Sequence, residues 1–257
     1  AGKDTPVIAK IEKHEALDHL EGIVDISDGI MVARGDLGVE IPLEEVPLIQ
    51  KRLIREANAA GKPVITATQM LRSMVNSPRP TRAEAADVVN AVLDGTDAVM
   101  LSEETASGDY PVEAVAIMHR LAMNAEAGFS YETFLNVSPR KDIAESVAHA
   151  SCVLADHLDA EAIVTYTTTG LTAMRISRFR PKRHIIALSA DIKTVRRLSL
   201  FWGCRPRLLH AHLGTDDMIE KAVVDSGEVS AGDLVVIVAG HPLLKAGATN
   251  MLRVKKL

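Results

Sequence analysis

Apolar positions along this chain follow two rhythms. Short runs rich in β-branched residues, Val7–Ile11, Gly29–Ala33, Pro63–Ala67 and Asp97–Leu101, read as strands. The segments between them carry a helical period with clear punctuation. Glu44–Ala60 sets Val46, Ile49, Leu53, Ile54 and Ala57 on one side and stops at Gly61 and Pro63. Thr81-Arg82-Ala83-Glu84 has the capping-box pattern and opens a helix to about Asp94, which Gly95 ends. Pro111 suits the first turn of a further helix, to about Ala127. Strands and helices alternating at this spacing predict a parallel sheet.

The polar residues that break the pattern fall just after the strands: Lys10 and Glu12, Arg34-Gly35-Asp36, Thr68-Gln69, Ser102-Glu103-Glu104. That is the C-terminal edge of the sheet, where (β/α) barrels carry their chemistry. Four strands before Ala127 are half of what a closed barrel of roughly 250 residues contains. The expected fold class is therefore α/β, beginning with half a (β/α)8 barrel. Gly128–Arg140 is a weakly periodic link. A second alternating region follows: helix Asp142–Leu158, then strands Ala162–Tyr166, Ile185–Ser189, Arg207–His210, Leu234–Ala239 and Asn250–Val254, with helices between them. Two domains are expected, 1–130 and 131–257, the second an α/β domain with a mostly parallel sheet. The echo between DGIMVARGD and TDAVMLSEE is the likeness of two barrel units.

Composition narrows the function classes. Aromatics are only 3% of the chain, so the core must be built from Val, Ile, Leu, Ala and Met. A net charge of −5 and no basic stripe argue against nucleic acid as a partner. No apolar run approaches the ~20 residues of a membrane span, and no signal-peptide pattern is seen. Cys152 and Cys204 make neither a disulfide framework nor a zinc spacing, which suits a reducing cytoplasm. The first residue is Ala, so the chain is expected to be processed or a piece of something longer.

Lys10 and Glu12 stand at i and i+2 of a strand and so face the same side. Asp36 is expected to end the next strand. Two carboxylates without Cys or His form an oxygen site suited to Mg2+ or Mn2+. A lysine beside such a metal can offset the charge of a moving phosphoryl group. Read by spacing alone, Lys10–Glu12 is equally an ordinary surface ion pair. Ala33-Arg34-Gly35-Asp36-Leu37-Gly38 is a Gly-rich turn whose backbone N–H groups can cradle a carboxylate or phosphate; it can also be simply a tight strand-to-helix turn. Thr68 offers a hydroxyl to the pocket, or caps a helix.

The stretches PVIAKIEKHEAL, DGIMVARGDLGVE, GKPVITATQML and PRPTRAEAADVVNAVLDGTDAVMLSEETASGDYPVEA resemble the pyruvate kinase family, colinearly and over essentially the whole chain. The resemblance implies phosphoryl transfer from phosphoenolpyruvate to ADP, giving pyruvate and ATP. It implies that Lys10 stabilises the phosphoryl group in transfer. Glu12 and Asp36 would hold the divalent metal. The backbone of Ala33, Arg34 and Gly35 would bind the substrate carboxylate, and Thr68 would assist protonation of the enolate carbon. Ser102 and Glu104 would serve the proton-relay side. Glu103 departs from the small residue of many relatives.

The later part resembles the family's regulatory C-terminal domain. Strand Ala162–Tyr166 leads into Thr167-Thr168-Thr169-Gly170-Leu171-Thr172, then a helix with Arg175 and Arg178. In the family this loop holds the phosphate of an allosteric effector. Thr168 and Leu171 stand where some fructose-bisphosphate-regulated members have Lys and Arg, and His241 where some have an aromatic residue. A sugar monophosphate or AMP is then as suitable an effector, and an unliganded capped turn is the alternative. His210 and His212 share a strand face without a third ligand. His149 and His157 read as surface residues, and Arg178-Phe179-Arg180-Pro181 as a basic patch near the phosphate loop.

The family's barrel has four earlier strands and a lid domain inserted after the third. These carry an arginine on the transferred phosphoryl group, the K+ ligands and most of the nucleotide site, and none of their motifs occurs here. The chain matches the family from just before barrel strand 5 through strand 8. Turnover by this chain alone is accordingly not expected. The competing reading is a non-catalytic effector-binding and oligomerisation module, and the family suggests tetramers. A metal-dependent lyase is a third reading, against which the intact Lys10, Glu12, Asp36 and Thr68 set argues.

Overall fold

The computed structural model describes residues 5–209, 223–240 and 249–257. The chain divides into two compact units, Ala1–Ser130 and Tyr131–Leu257.

In the first unit β1 (Ile8–Ile11), β2 (Gly29–Ala33), β3 (Val64–Ala67) and β4 (Ala98–Met100) pair in chain order, every pair parallel. Parallel neighbours need long crossovers. These are α1 (His14–Asp18) with α2 (Leu20–Ile26), α3 (Arg34–Glu40) with α4 (Val46–Ala60), and α5 (Arg82–Leu93); α6 (Glu103–Ala106) and α7 (Pro111–Ala127) follow β4. The central strands β2 and β3 are almost wholly buried, which is why they read as continuous apolar runs. The edge strands β1 and β4 are mostly half-buried. Leu53, Ile54 and Ala57 of α4 pack with Ile30, Val32 and Val64 of the sheet. A second cluster, Met70, Leu71, Met74, Val88, Ala91 and Met118, joins the loop after β3 to α5 and α7.

The predicted punctuation is largely observed. Thr81 and Glu84 form the full capping box at the start of α5. Gly61 closes α4 in the left-handed region at φ 71°, a conformation that costs glycine no Cβ clash. The helix expected from Glu44 instead begins with a 3-10 turn, Leu43–Glu45, before α4. Lys62, just beyond α4, donates to the carbonyls of Val24, Asp25 and Ser27 at 2.5, 2.6 and 2.6 Å, satisfying the C-terminal end of α2.

The second unit contains α8 (Tyr131–Leu135), α9 (Ile143–His157), β5 (Ala162–Tyr166), α10 (Leu171–Arg178), β6 (His184–Ser189), α11 (Ile192–Leu198), β7 (Cys204–Leu208), β8 (Leu234–Gly240) and β9 (Thr249–Lys256). Its sheet order is β7-β6-β5-β8-β9, parallel except for the antiparallel β8–β9 pair. The strand expected at Arg207–His210 lies earlier, at Cys204–Leu208. Its sequence, CRPRL, hides it: Pro206 and two arginines are tolerated because β7 is an edge strand. His210, His212 and His241 lie outside the described residues. No helix among the described residues is long and apolar enough to cross a membrane.

Candidate active site

The C-terminal ends of β1 and β2 bring three charged side chains together. The ammonium of Lys10, on β1, donates to Asp36 Oδ2 at 2.8 Å and forms an ion pair with Glu12 Oε2. β1 and β2 are in register at Lys10 and Met31, so the two strand ends are neighbours. Asp36 does not end β2 as expected. It lies in the first turn of α3, because the Gly-rich segment after Ala33 winds directly into a helix. The cluster is open to water, with side chains 48% (Lys10), 36% (Glu12) and 57% (Asp36) exposed. The hydrogen bonds it donates to Asp36 and then to Glu12 push Lys10 up to about 12. The same lysine holds the Asp36 carboxyl below its usual range.

The donors fit a hard divalent cation. Glu12 and Asp36 supply two carboxylates, and Mg2+ commonly takes one or two with waters and substrate oxygens completing its shell. Among the described residues no group of three or more His, Cys, Asp or Glu side chains surrounds one point. A cation here would need further oxygens.

Behind the cluster, the loop after β3 is held in an uncommon backbone. Thr68 and Gln69 have φ of 71° and 55°. Consecutive left-handed non-glycine residues, one of them β-branched, carry about 1–3 kcal/mol of strain each and persist only where surroundings enforce them. The Thr68 hydroxyl accepts from the backbone N–H of Gly35 at 2.7 Å and donates to Ala67 O at 2.6 Å. So Thr68 caps α3 rather than the segment that follows it. Arg34 spans the same loop from the other side. Its Nε donates to Ala67 O at 3.3 Å and its Nη2 to Thr68 O at 2.8 Å. Its Nη1 donates to Asp87 Oδ1 at 2.6 Å and Gln50 Oε1 at 3.3 Å.

Ser102 and Glu104 belong to the β4–α6 corner. Glu104 is buried, 2% exposed. One of its oxygens accepts from Leu71 N at 3.0 Å and the other from Ser102 N at 2.8 Å. Glu104 thus ties the corner to the segment after Thr68, a bracing role that spacing did not suggest. Gln50 and Asp87 were also not legible as site residues. They sit on helices α4 and α5, and nothing in their local sequence points back to Arg34.

In the second unit Thr167 is buried, and its Oγ1 accepts from Gly170 N at 2.9 Å. The Thr172 hydroxyl shares a buried 2.7 Å bond with that of Thr249. Thr168 and Thr169 are exposed, and Thr194 Oγ1 donates to Thr168 O at 2.9 Å. Gly170 is left-handed at φ 85°, and a Cβ there would meet Leu198 at 3.3 Å. The expected basic patch is not a surface feature. Arg178 is ion-paired with Glu145, both side chains under a tenth exposed, and Arg180 is 2% exposed with its guanidinium 5.4 Å from the Trp202 ring. His149 is also drawn inward. It bonds Leu135 O at 2.7 Å and its ring lies 4.9 Å from that of Phe179, while His157 stays exposed.

The family profile described as "Pyruvate kinase, barrel domain" matches residues 1–115, and "Pyruvate kinase, alpha/beta domain" matches residues 145–255. The chain is 47% identical to the pyruvate kinase of Clostridium acetobutylicum, covering 99% of this chain and 55% of that protein. It is 51% identical to that of Bacillus licheniformis, covering 98% of this chain and 44% of the relative, and 50% identical to that of Geobacillus stearothermophilus, covering 96% and 43%. The chain spans about half the length of the curated relatives it matches. It belongs to the pyruvate kinase family, with a barrel region followed by an α/β domain, each built on a parallel-rich sheet.

Proposed function

We propose that this chain carries half of a phosphoryl-transfer site, which passes the phosphoryl group of phosphoenolpyruvate to ADP. Its four strands serve as strands 5 to 8 of a (β/α)8 barrel. The observation that carries this reading is the Lys10 ammonium held between Glu12 and Asp36 at the C-terminal end of the sheet. A carboxylate pair with a lysine, opening to water on a strand edge, suits a triply charged substrate and a divalent cation better than it suits stability, since exposed pairs contribute little.

Each group has a role. Glu12 and Asp36 would hold Mg2+ or Mn2+, which when bound supplies charge neutralisation to the substrate oxygens. Lys10 stays protonated far above neutral pH, so its full positive charge faces the phosphoryl oxygens as charge builds in transfer. The backbone at Ala33, Arg34 and Gly35 receives the substrate carboxylate, beside the Thr68 hydroxyl that holds the Gly35 amide in place. The same hydroxyl serves proton delivery to the enolate carbon. Ser102 lies in a corner braced by Glu104 and would serve the proton-relay side. K+ and most nucleotide contacts belong to parts of the family's barrel outside this sequence. The Thr167–Thr172 loop would take an effector phosphate on the exposed Thr168 and Thr169, and assembly into a homotetramer follows the family.

Calorimetry with phosphoenolpyruvate and Mg2+ on the 257-residue chain, beside Lys10→Ala, tests the site. Mg2+-dependent binding that weakens in the variant is expected, with no pyruvate formed from phosphoenolpyruvate and ADP. No binding by a folded sample would overturn the site reading and favour an effector-binding module. Turnover abolished by Lys10→Ala would overturn the half-site part of it.

A further inference from the structure

We infer that Asp87 is a positioning residue for the candidate site, acting through Arg34 on the Gly35 amide and the Thr68 loop; this rests on the proposed function. Asp87 lies on α5, 53 residues from Arg34 in sequence. Its side chain is 39% exposed, whereas that of Arg34 is 10% exposed. It is therefore not a core residue. It lines a groove of about 480 Å3 between α4 and α5, together with Val46, Gln50, Asn90 and Arg34 itself. Among the described residues its 2.6 Å bond is the one anionic contact of a guanidinium whose other contacts are neutral: Gln50 Oε1, Ala67 O, Thr68 O and Met70 Sδ.

A nearly buried cation with only neutral acceptors is costly, and an open groove offers it water. Without Asp87 the guanidinium turns outward and releases the carbonyls of Ala67 and Thr68. Those two bonds clamp the residue whose φ of 71° is otherwise unfavourable. Once released, Thr68 relaxes, and its hydroxyl leaves the Gly35 N–H. The amide meant for the substrate carboxylate then loses its fixed orientation. Asp87 touches no substrate in this account; it sets the geometry of groups that do.

The test is amide hydrogen exchange on the full 257-residue chain, read residue by residue, for wild type, Asp87→Ala and Asp87→Glu. In Asp87→Ala the Gly35 amide is expected to exchange about tenfold faster, the scale of one hydrogen bond, while Leu53 in the core of α4 is unchanged. Asp87→Glu should restore most of the protection. Phosphoenolpyruvate binding at saturating Mg2+ should weaken in Asp87→Ala with the Mg2+ affinity unaltered. Gly35 exchange equal to wild type in Asp87→Ala would overturn the proposal. So would loss of protection spread to Leu53, since Asp87 would then act on stability alone. If the wild-type chain binds no phosphoenolpyruvate, the proposed function fails, and Gly35 exchange still decides whether the clamp exists.

Discussion

The backbone N–H of Gly35 donates to the hydroxyl of Thr68 across 2.7 Å, joining the first turn of α3 to the loop after β3. The bond helps to hold a β-branched residue in the left-handed backbone found there, at φ 71°. Thr68→Ser keeps the acceptor and removes the γ-methyl that makes positive φ unfavourable. The variant is expected to be more stable by about 0.5–1 kcal/mol in urea unfolding, with Gly35 protection retained. Thr68→Val, which keeps the branch and loses the acceptor, should be less stable by about 1–2 kcal/mol.

Lys10 competes with any cation for Glu12 and Asp36. Lys10→Met is therefore expected to raise the affinity for Mn2+, read by electron paramagnetic resonance, even as it removes the charge proposed to serve transfer. Conversely, Mg2+ should pull the Lys10 titration down from about 12, since the cation takes the carboxylates that hold the proton on. The signs are fixed by the directions. The Lys10 value lies above its ordinary 10.5, so its contribution to stability is complete below 10.5 and lost as pH rises through about 12. That of Asp36 lies below 3.8, so its contribution is present above 3.8 and lost as pH falls beneath it. A lysine side-chain NMR titration with and without Mg2+ checks the effect of the cation on Lys10.

In the second unit the Glu145–Arg178 pair is nearly dry, with side chains 7% and 8% exposed. Removing one partner leaves the other charge without compensation. Glu145→Ala and Arg178→Met should each cost about 3–5 kcal/mol in denaturant unfolding, while the double variant Glu145→Leu, Arg178→Met should lie within about 2 kcal/mol of wild type. Equal losses in single and double variants would mean that packing of the arginine on Phe179, 5.5 Å from the ring, matters more than charge.

The two cysteines should differ in reactivity. Burial pushes the Cys152 thiol up to about 12, with a hydrogen bond involving Ser151 opposing it only in part. Cys204 is half-buried at the start of the edge strand β7. A thiol-reactive disulfide at pH 8 should therefore label one equivalent in the folded chain, at Cys204, and a second only after unfolding. Two fast equivalents would show that α9 opens readily.

Local sequence determined the parts that depend on neighbours along the chain. β2 and β3 were legible as apolar runs because strands covered on both faces need no polar alternation. The start of α5 was legible because a capping box is complete within Thr81–Glu84. Lys10, Glu12 and Asp36 were legible as a group because parallel strands deliver their C-terminal residues to one edge, whatever the rest of the fold does. Tertiary structure alone decided what holds those residues in place. Arg34 finds Gln50 and Asp87 at separations of 16 and 53 residues, and Glu104 reaches back 33 residues to Leu71. The outward arginines of the expected patch became the buried partners of Glu145 and Trp202. Propensity and periodicity report what a residue prefers beside its sequence neighbours. They carry no term for which distant carboxylate will meet a guanidinium once the helices pack, and the left-handed turn at Thr68 exists only because such distant contacts enforce it.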